Sequence, residues 1–427
     1  MNFGDRILEY KDDILNDLKK LLEIESVSAN NPEACRNALR FIIKRAEEFG
    51  LTAKNIENKA AHIELGNSGK LCGVLTHLDV VPAGKNWSVE PFTLTRKNGR
   101  LYGRGVDDDK GASIIDLYCL KALKDNNIVG RNTVRCIFGT DEEIGMSDME
   151  TYFNHEPLPE LSFTPDSDYG ICLAEKGILQ IKISSASNDS AIKEFISGGA
   201  VNAVPDEAKA VYYSNNELKT LSAQGKAAHA CEPHKGKNAA IELIMILKNY
   251  TNIGHLLNFA ADKISDKTDG QSLGIKTEDK PSGGLTCNLG KVRINENENY
   301  FTLDIRYPVT KNGEDILKKI RNEAASFNLT VDIIHHAEPL YLPENSEIIK
   351  LLSSAYKDIT DEKPGLYSTG GGTYARMLGG KGVAFGPAFK DDEVNMHNAD
   401  ESIDEEKFFL HAKICMQAIY KMYTNNF

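Results

Sequence analysis

The chain has 427 residues, 41% of them hydrophobic, enough to close the cores of two domains. Its 62 acidic and 50 basic residues leave a net charge of −12, so it presents no basic field to phosphates, which excludes a nucleic-acid or anionic-membrane partner. Eight cysteines are scattered without a CxxC pair, several inside apolar runs such as VRCIF around Cys136. The opening residues lack the basic and apolar regions of a secretory signal, and no apolar run is long enough for a bilayer, so the expected location is cytoplasmic.

In chain order, Ile14, Leu18, Leu21 and Leu22 share one helical face. Leu39, Ile42, Ile43, Ala46 and Phe49 mark a second helix that Gly50 stops. Short apolar runs follow that read as buried strands: HIEL, CGVLTHLDVV, TVRCIFGT and LSFTPD, with a helix over residues 110–124 between two of them. Such alternation predicts an α/β domain with a mixed, largely parallel sheet flanked by helices. After Lys176 the pattern changes to alternating strands (LQIKISS, AKAVYYS, FTLDIRYPV) with helices at NAAIELIMILKNY and EDILKKIRNEAASF. This is the pattern of an inserted α+β lid domain. The earlier style then resumes with a helix at SEIIKLLSSAYKDI, a strand at GVAFGP and a final helix after Ser402. The expected division is a catalytic domain in two parts, 1–177 and 338–427, around a lid at 178–337.

Acids and histidines cluster where these strands end. VLTHLDVVP ends in His77 and Asp79, two residues apart and therefore on one face. GRGVDDDKG delivers Asp107, Asp108 and Asp109 just before a helix, IFGTDEEIG ends in Asp141, Glu142 and Glu143, and FTPDSD ends in Asp166. Ligand sites of open α/β sheets lie beyond the carboxyl ends of the strands, so these segments should converge on one rim. So many carboxylates would repel one another and take up protons unless cations neutralised them. Together with imidazole they suit two divalent ions, zinc with manganese or cobalt as substitutes. Taken singly, each motif has a plainer reading. An HxD can be a surface pair, a triple aspartate a helix-capping turn, a Glu-Glu pair an exposed loop, and Asp166 a turn residue. Their order and shared setting favour the metal reading.

In these motifs the chain resembles the di-zinc metallopeptidases that include acetylornithine deacetylase, succinyl-diaminopimelate desuccinylase, aminoacylase, carnosinase and the bacterial PepV-type dipeptidase. The resemblance rests on HLDVVPAG followed by Trp87, Pro91 and Phe92, then GRGVDDDKG, TDEEIG, TPDS and NMHNADES, in order over nearly the whole chain. DDKG, FTPD, IRYPV and GGGTYAR are most similar to the PepV-type dipeptidases. The resemblance implies a zinc-exopeptidase-like catalytic domain holding two Zn2+. His77 and Asp166 would bind one ion and His397 and Glu143 the other, with Asp108 bridging both. Asp79 would orient His77, and Glu142 would be the general acid/base that activates a metal-bridging hydroxide. Asp107 stands where small or polar residues are more usual in the family; the register of the triple aspartate is taken from its spacing to Lys110 and Gly111.

In the insert, the resemblance makes His229 of GKAAHA the electrophile facing the oxyanion, and Asn202 of GGAVNAVP with Arg306 of DIRYP a clamp on a substrate carboxylate. Without it, His229 is a lone histidine, Asn202 a turn residue and Arg306 a strand-surface cation. The glycine-rich GGGTYAR could cradle the same carboxylate on backbone N–H groups at Gly371 and Gly372, or be only a helix-entry loop; no GK[ST] follows, so it is not a phosphate loop. The implied activity is hydrolysis of short peptides with a free C-terminal carboxylate, a dipeptidase. An N-acyl-amino-acid deacylase and a non-catalytic metal- or peptide-binding relative are the alternatives. The long insert further implies a monomer with His229 acting in cis, against a homodimer in which a partner supplies it.

Overall fold

The apolar run ending at His77 forms the strand Leu71–His77, buried from Cys72 onward, in a computed structural model that describes residues 2–427. It lies between Thr133–Gly139 and Leu161–Thr164, and both pairings are parallel. Gly382–Ala384 adds a fourth parallel strand beside Leu161–Thr164. Strands buried on both faces have no polar face, so these segments read as unbroken apolar runs. Antiparallel strands complete the sheet. The hairpin Thr52–Ile56 and Ala60–Leu65 lies beyond Thr133–Gly139, and Ile171–Glu175 lies beyond Gly382–Ala384.

The chain divides into two compact units. One comprises residues up to 173 with 342–367 and 372–427; the other comprises 174–341 with 368–371. In the first, the helix Lys110–Asp125 is buried along nearly its whole length and packs with Lys11–Leu22 and Glu405–Thr424. Lys11–Leu22 turns Ile14, Leu18, Leu21 and Leu22 inward, as their spacing predicts, with Asp12 and Asp13 in its first turn and Lys19 and Lys20 in its last, matching the helix dipole. Pro32–Glu48 begins at Asn31, whose side chain accepts from Ala34 N, and has proline in its first turn.

The second unit is α+β. Seven antiparallel strands run in the spatial order Glu217–Gln224, Glu207–Ser214, Ile192–Ser197, Thr286–Ile294, Asn299–Tyr307, Gly177–Ser184 and Thr330–Ala337. Gly177–Ser184 alternates, placing Leu179, Ile181 and Ile183 in a core shared with Leu243 and Ile244 of the helix Ala239–Leu247 and with Ile316 and Ile320 of Gly313–Ala325. No helix among the described residues is long and apolar enough to cross a membrane.

Two histidines are built into the first unit's core as neutral rings. His62 Nδ1 pairs with Tyr152 Oη at 2.8 Å, and burial pushes its pKa down to about 4. His411 Nδ1 pairs with Tyr169 Oη at 2.9 Å, and burial alone takes it to about 3. Both values lie below the unfolded value of 6.5, so the unfolded chain binds more protons as pH falls. The stabilisation is complete above about pH 6.5 and is lost on descending towards the folded values. Between about pH 7.5 and pH 5, His411 should account for a loss of about 2 kcal/mol. Denaturant titrations at both pH values test this: His411→Gln should show a smaller acid-induced drop in stability than wild type, and an equal drop refutes the assignment.

Candidate metal centre

The parallel register aligns His77 with Gly139, so three loops leave the same rim of the sheet: 78–79, 140–143 and 165–166. The fourth contributor is the acidic turn that precedes Lys110–Asp125. Asp108 lies between the two histidines. His77 Nε2 is 2.9 Å from its Oδ1, and His397 Nε2 is 2.9 Å from its Oδ2. Glu143 Oε2 lies 3.2 Å from His397 Nε2, and Asp166 Oδ2 lies 4.0 Å from His77 Nε2. Ligand-type atoms of His77, Asp108 and Glu143 fall within 4.8 Å of one another, as do those of His77, Glu142 and Asp166. One carboxylate offering an oxygen to each of two imidazoles is the arrangement of a bridge.

The donor set fits divalent cations. Burial would depress His77, yet the carboxylates of Asp108 and Asp79 raise it well above 6.5. His397 follows the same pattern, with Asp108 and Glu143 overriding burial to bring it to about 11. Burial would raise Asp108, but hydrogen bonds from His397 and His77 pull it below the usual aspartate range. Burial and then neighbouring carboxylates push Asp166 and Glu142 upward. Protons thus supply the positive charge that the cluster requires and that bound cations would otherwise bring.

His77 is held for ligation by its other nitrogen. Nδ1 donates to the backbone carbonyl of Asp79 at 2.9 Å, which turns Nε2 towards the cluster, where its proton is the one a bound cation would replace. The Asp79 carboxylate also faces that nitrogen of His77, its Oδ1 3.5 Å from Nδ1. The same carboxylate accepts the backbone N–H groups of Glu142 and Glu143, each at 3.2 Å. Asp79 therefore orients the loop bearing both glutamates. Asp148 anchors the same loop from behind, accepting from Thr140 N, Asp141 N and Tyr374 Oη. Burial raises Asp148 to about 6.

Of the triple aspartate, only Asp108 faces the two imidazoles. Asp109 turns back to accept the backbone N–H of His77 at 3.1 Å. Asp107 is buried with neither oxygen hydrogen-bonded, and burial pushes its carboxyl well above the aspartate range. The turn is held by Glu401 of NMHNADES, to which the sequence alone assigns no role. Its carboxylate accepts the N–H groups of Gly105, Asp107 and Asp108 at 3.0 to 3.2 Å and pairs with Arg104 Nη1 at 2.7 Å. Arg104 and Glu401 are each 1% exposed. Arg104 also donates to Asn398 O, which ties the His397 loop to the Asp108 turn. The signal was present as opposite charges at the edges of two motifs, Arg104 in GRGVDDDKG and Glu401 four residues after His397.

The remaining candidates lie in or beside the second unit. Ala203, next to Asn202, pairs with His229 in a short two-stranded ladder, and Ala230 N donates to Asn202 O. Arg306 departs from the expectation of an open fork. Nε and Nη2 both bind the Asp304 carboxylate, at 2.6 and 2.8 Å, and Nη1 donates to Gly370 O. Three of its five N–H donors are thus committed, and two are not. The Gly371 N–H donates to Thr369 Oγ1 at 3.0 Å, so it is already engaged rather than held open for a ligand. Gly372 lies against the Arg376 guanidinium, and the segment enters the short 3-10 helix Tyr374–Leu378, not an α-helix.

Breaking the buried Arg104–Glu401 pair leaves an uncompensated cation and frees the acidic turn. Glu401→Gln should cost about 3–5 kcal/mol in denaturant unfolding and lower the metal retained per chain. Wild-type stability together with wild-type metal content would refute this role.

A family model described as peptidase family M20/M25/M40 matches residues 73–421. A Bacillus subtilis (strain 168) protein named "Putative dipeptidase YtjP" is 34% identical, covering 99% of this chain and all of its own length. Among solved structures, the di-peptidase Dug1p from Saccharomyces cerevisiae superposes with a TM-score of 0.65 at 14% identity, over 99% of this chain and 98% of its own. The M20 family metallo-carboxypeptidase Sso-CP2 from Sulfolobus solfataricus gives 0.64 at 18% identity, over 95% and 98%. Those structural likenesses establish the fold, and the family match with the full-length relative establishes descent. This chain is a member of the peptidase family M20/M25/M40.

Proposed function

We propose that this metallopeptidase is a dipeptidase whose centre holds two divalent ions, zinc with manganese or cobalt as substitutes, between His77, Asp108, Asp166, Glu143 and His397. The observation that carries the reading is the Asp108 carboxylate divided between two imidazoles, each with its own acidic neighbour. Two ions bound there would bring the pKa of a bound water towards neutrality and polarise the scissile carbonyl. Glu142 takes the proton of the attacking water. Burial and the Asp166 and Glu143 charges raise its carboxylate, which favours its taking that proton and passing it to the departing amine. Asp79, by gripping the Glu142 and Glu143 amides, sets one glutamate to ligate and its neighbour to shuttle protons.

His229 is assigned to the developing oxyanion, and the two uncommitted N–H groups of Arg306, with Asn202, to the substrate's C-terminal carboxylate. Eight free cysteines, seven of them buried, support a cytoplasmic location.

Glu142 also lies among ligand-type atoms with His77 and Asp166, so a ligand role competes with the base role. Glu142→Gln separates the two: as the base, the variant should lose roughly 10²–10⁴-fold in kcat on dipeptides while keeping two metal ions per chain. Loss of one ion would make it a ligand. Cleavage of N-acyl amino acids alone, with dipeptides untouched, would replace dipeptidase by deacylase. His229 is assigned in cis, to a monomer. Mixing inactive Glu142→Gln with inactive His229→Gln protein should therefore restore no activity; recovery would mean that the histidine is supplied by a second chain.

A further inference from the structure

Seven of the eight cysteines are buried, and the eighth, Cys231, stands beside His229. His229 ends the short strand Ala228–His229, and the chain turns immediately after it, with Glu232 N donating to His229 O at 3.0 Å. The turn brings two groups of Cys231 onto one ring nitrogen: the backbone N–H is 3.2 Å from His229 Nδ1, and Sγ is 2.9 Å from it. A backbone N–H can only donate, so Nδ1 must carry its lone pair and the ring proton sits on Nε2. The thiol, facing the same lone pair, is a donor as well. Burial raises the Cys231 thiol, which keeps it in the S–H form that donation requires.

The cysteine is itself held in place. A Cβ at Gly370 would come within 2.7 Å of Cys231 Cβ, so the side chain rests directly on bare backbone. Gly370 is tethered through its carbonyl to Arg306, and Arg306 is clamped by Asp304.

We propose that Cys231 is a positioning residue that fixes His229 as the Nε2–H tautomer, so that the imidazole presents an N–H donor to the oxyanion of the tetrahedral intermediate. The opposite tautomer would turn a lone pair towards the negative charge. A donor whose proton is placed before reaction needs no reorganisation as the charge develops. The proposal rests on the oxyanion role of His229, and its test is chosen to fail separately from that role.

Full-length protein carrying 15N-histidine, observed by long-range 1H–15N correlation with His229 assigned by comparison with His229→Gln, reports the tautomer directly. Nε2–H with unprotonated Nδ1 is expected in wild type; Cys231→Ala keeps the backbone donor but loses the thiol, and a measurable fraction of the Nδ1–H form is expected there. On dipeptide substrate, Cys231→Ala should lower kcat by about 3–10-fold, the loss of one neutral hydrogen bond, with KM within about twofold. Cys231→Ser, which restores a donor, should recover most of that loss. An Nδ1–H ring in wild type, or Cys231→Ala with both the tautomer and kcat unchanged, overturns the proposal. If the Nε2–H tautomer is found and depends on Cys231 while His229→Gln remains fully active, the positioning stands and the oxyanion role falls.

Discussion

Carboxylates brought together out of water need positive charge brought with them. Asp108, Glu142, Glu143 and Asp166 share one rim of the sheet with His77 and His397, and the cluster draws both imidazoles towards the protonated form. This constraint explains why the acids sit at strand ends, where the loops leave the sheet and an ion can enter. It also explains the separate fates of the three consecutive aspartates. Asp108 faces the histidines, Asp109 bonds backbone and Asp107 is raised well above the aspartate range. A turn with three ionised acids on one side would add repulsion with no further imidazole to balance it.

The second requirement is rigidity, and the first unit meets it with acids that never touch the cluster's centre. Glu401 gathers three N–H groups of the acidic turn while neutralising Arg104, and Arg104 reaches Asn398 beside His397. Asp79 and Asp148 do the same for the loop carrying Glu142 and Glu143. Buried carboxylates saturated by backbone donors hold loops to fixed geometry, and ligands set on such loops lose little entropy when an ion binds. The loops bearing the candidate ligands are therefore cross-linked in pairs: the Asp108 turn to the His397 loop, and the His77 strand end to the glutamate loop.

Much of this was legible in the sequence because it obeyed simple periods. Period-two spacing placed His77 and Asp79 on one face, and unbroken apolar runs located the central strands. Elements that escaped detection are those with weak apolar signal. Thr52–Ile56 is an edge strand with one buried residue, and Glu217–Gln224 is an edge strand exposed along most of its length, so neither needs an apolar pattern. Hydrogen-bond partners distant in sequence were equally hidden, since nothing local tells Glu401 that it will meet the amides of residues 105–108. The engagement of Arg306, by contrast, could have been read. In FTLDIRYP, Asp304 and Arg306 are two apart on one strand, hence on one face, and a buried guanidinium takes the nearest carboxylate.

That engagement changes what the second unit offers a ligand. A free guanidinium fork would bind any carboxylate bidentately; one held by Asp304 and Gly370 presents a fixed remainder of its donors and so a fixed direction of approach. The same Gly370 backbone supports Cys231, and Cys231 supports the ring of His229. Arg306 and His229 are thereby joined through one short run of contacts within a single unit. Their mutual geometry is set by packing, so in the proposed roles a carboxylate bound at Arg306 and an oxyanion at His229 would lie a defined distance apart. Under the proposed dipeptidase reading, such fixed spacing would select substrates by length without requiring any side-chain pocket.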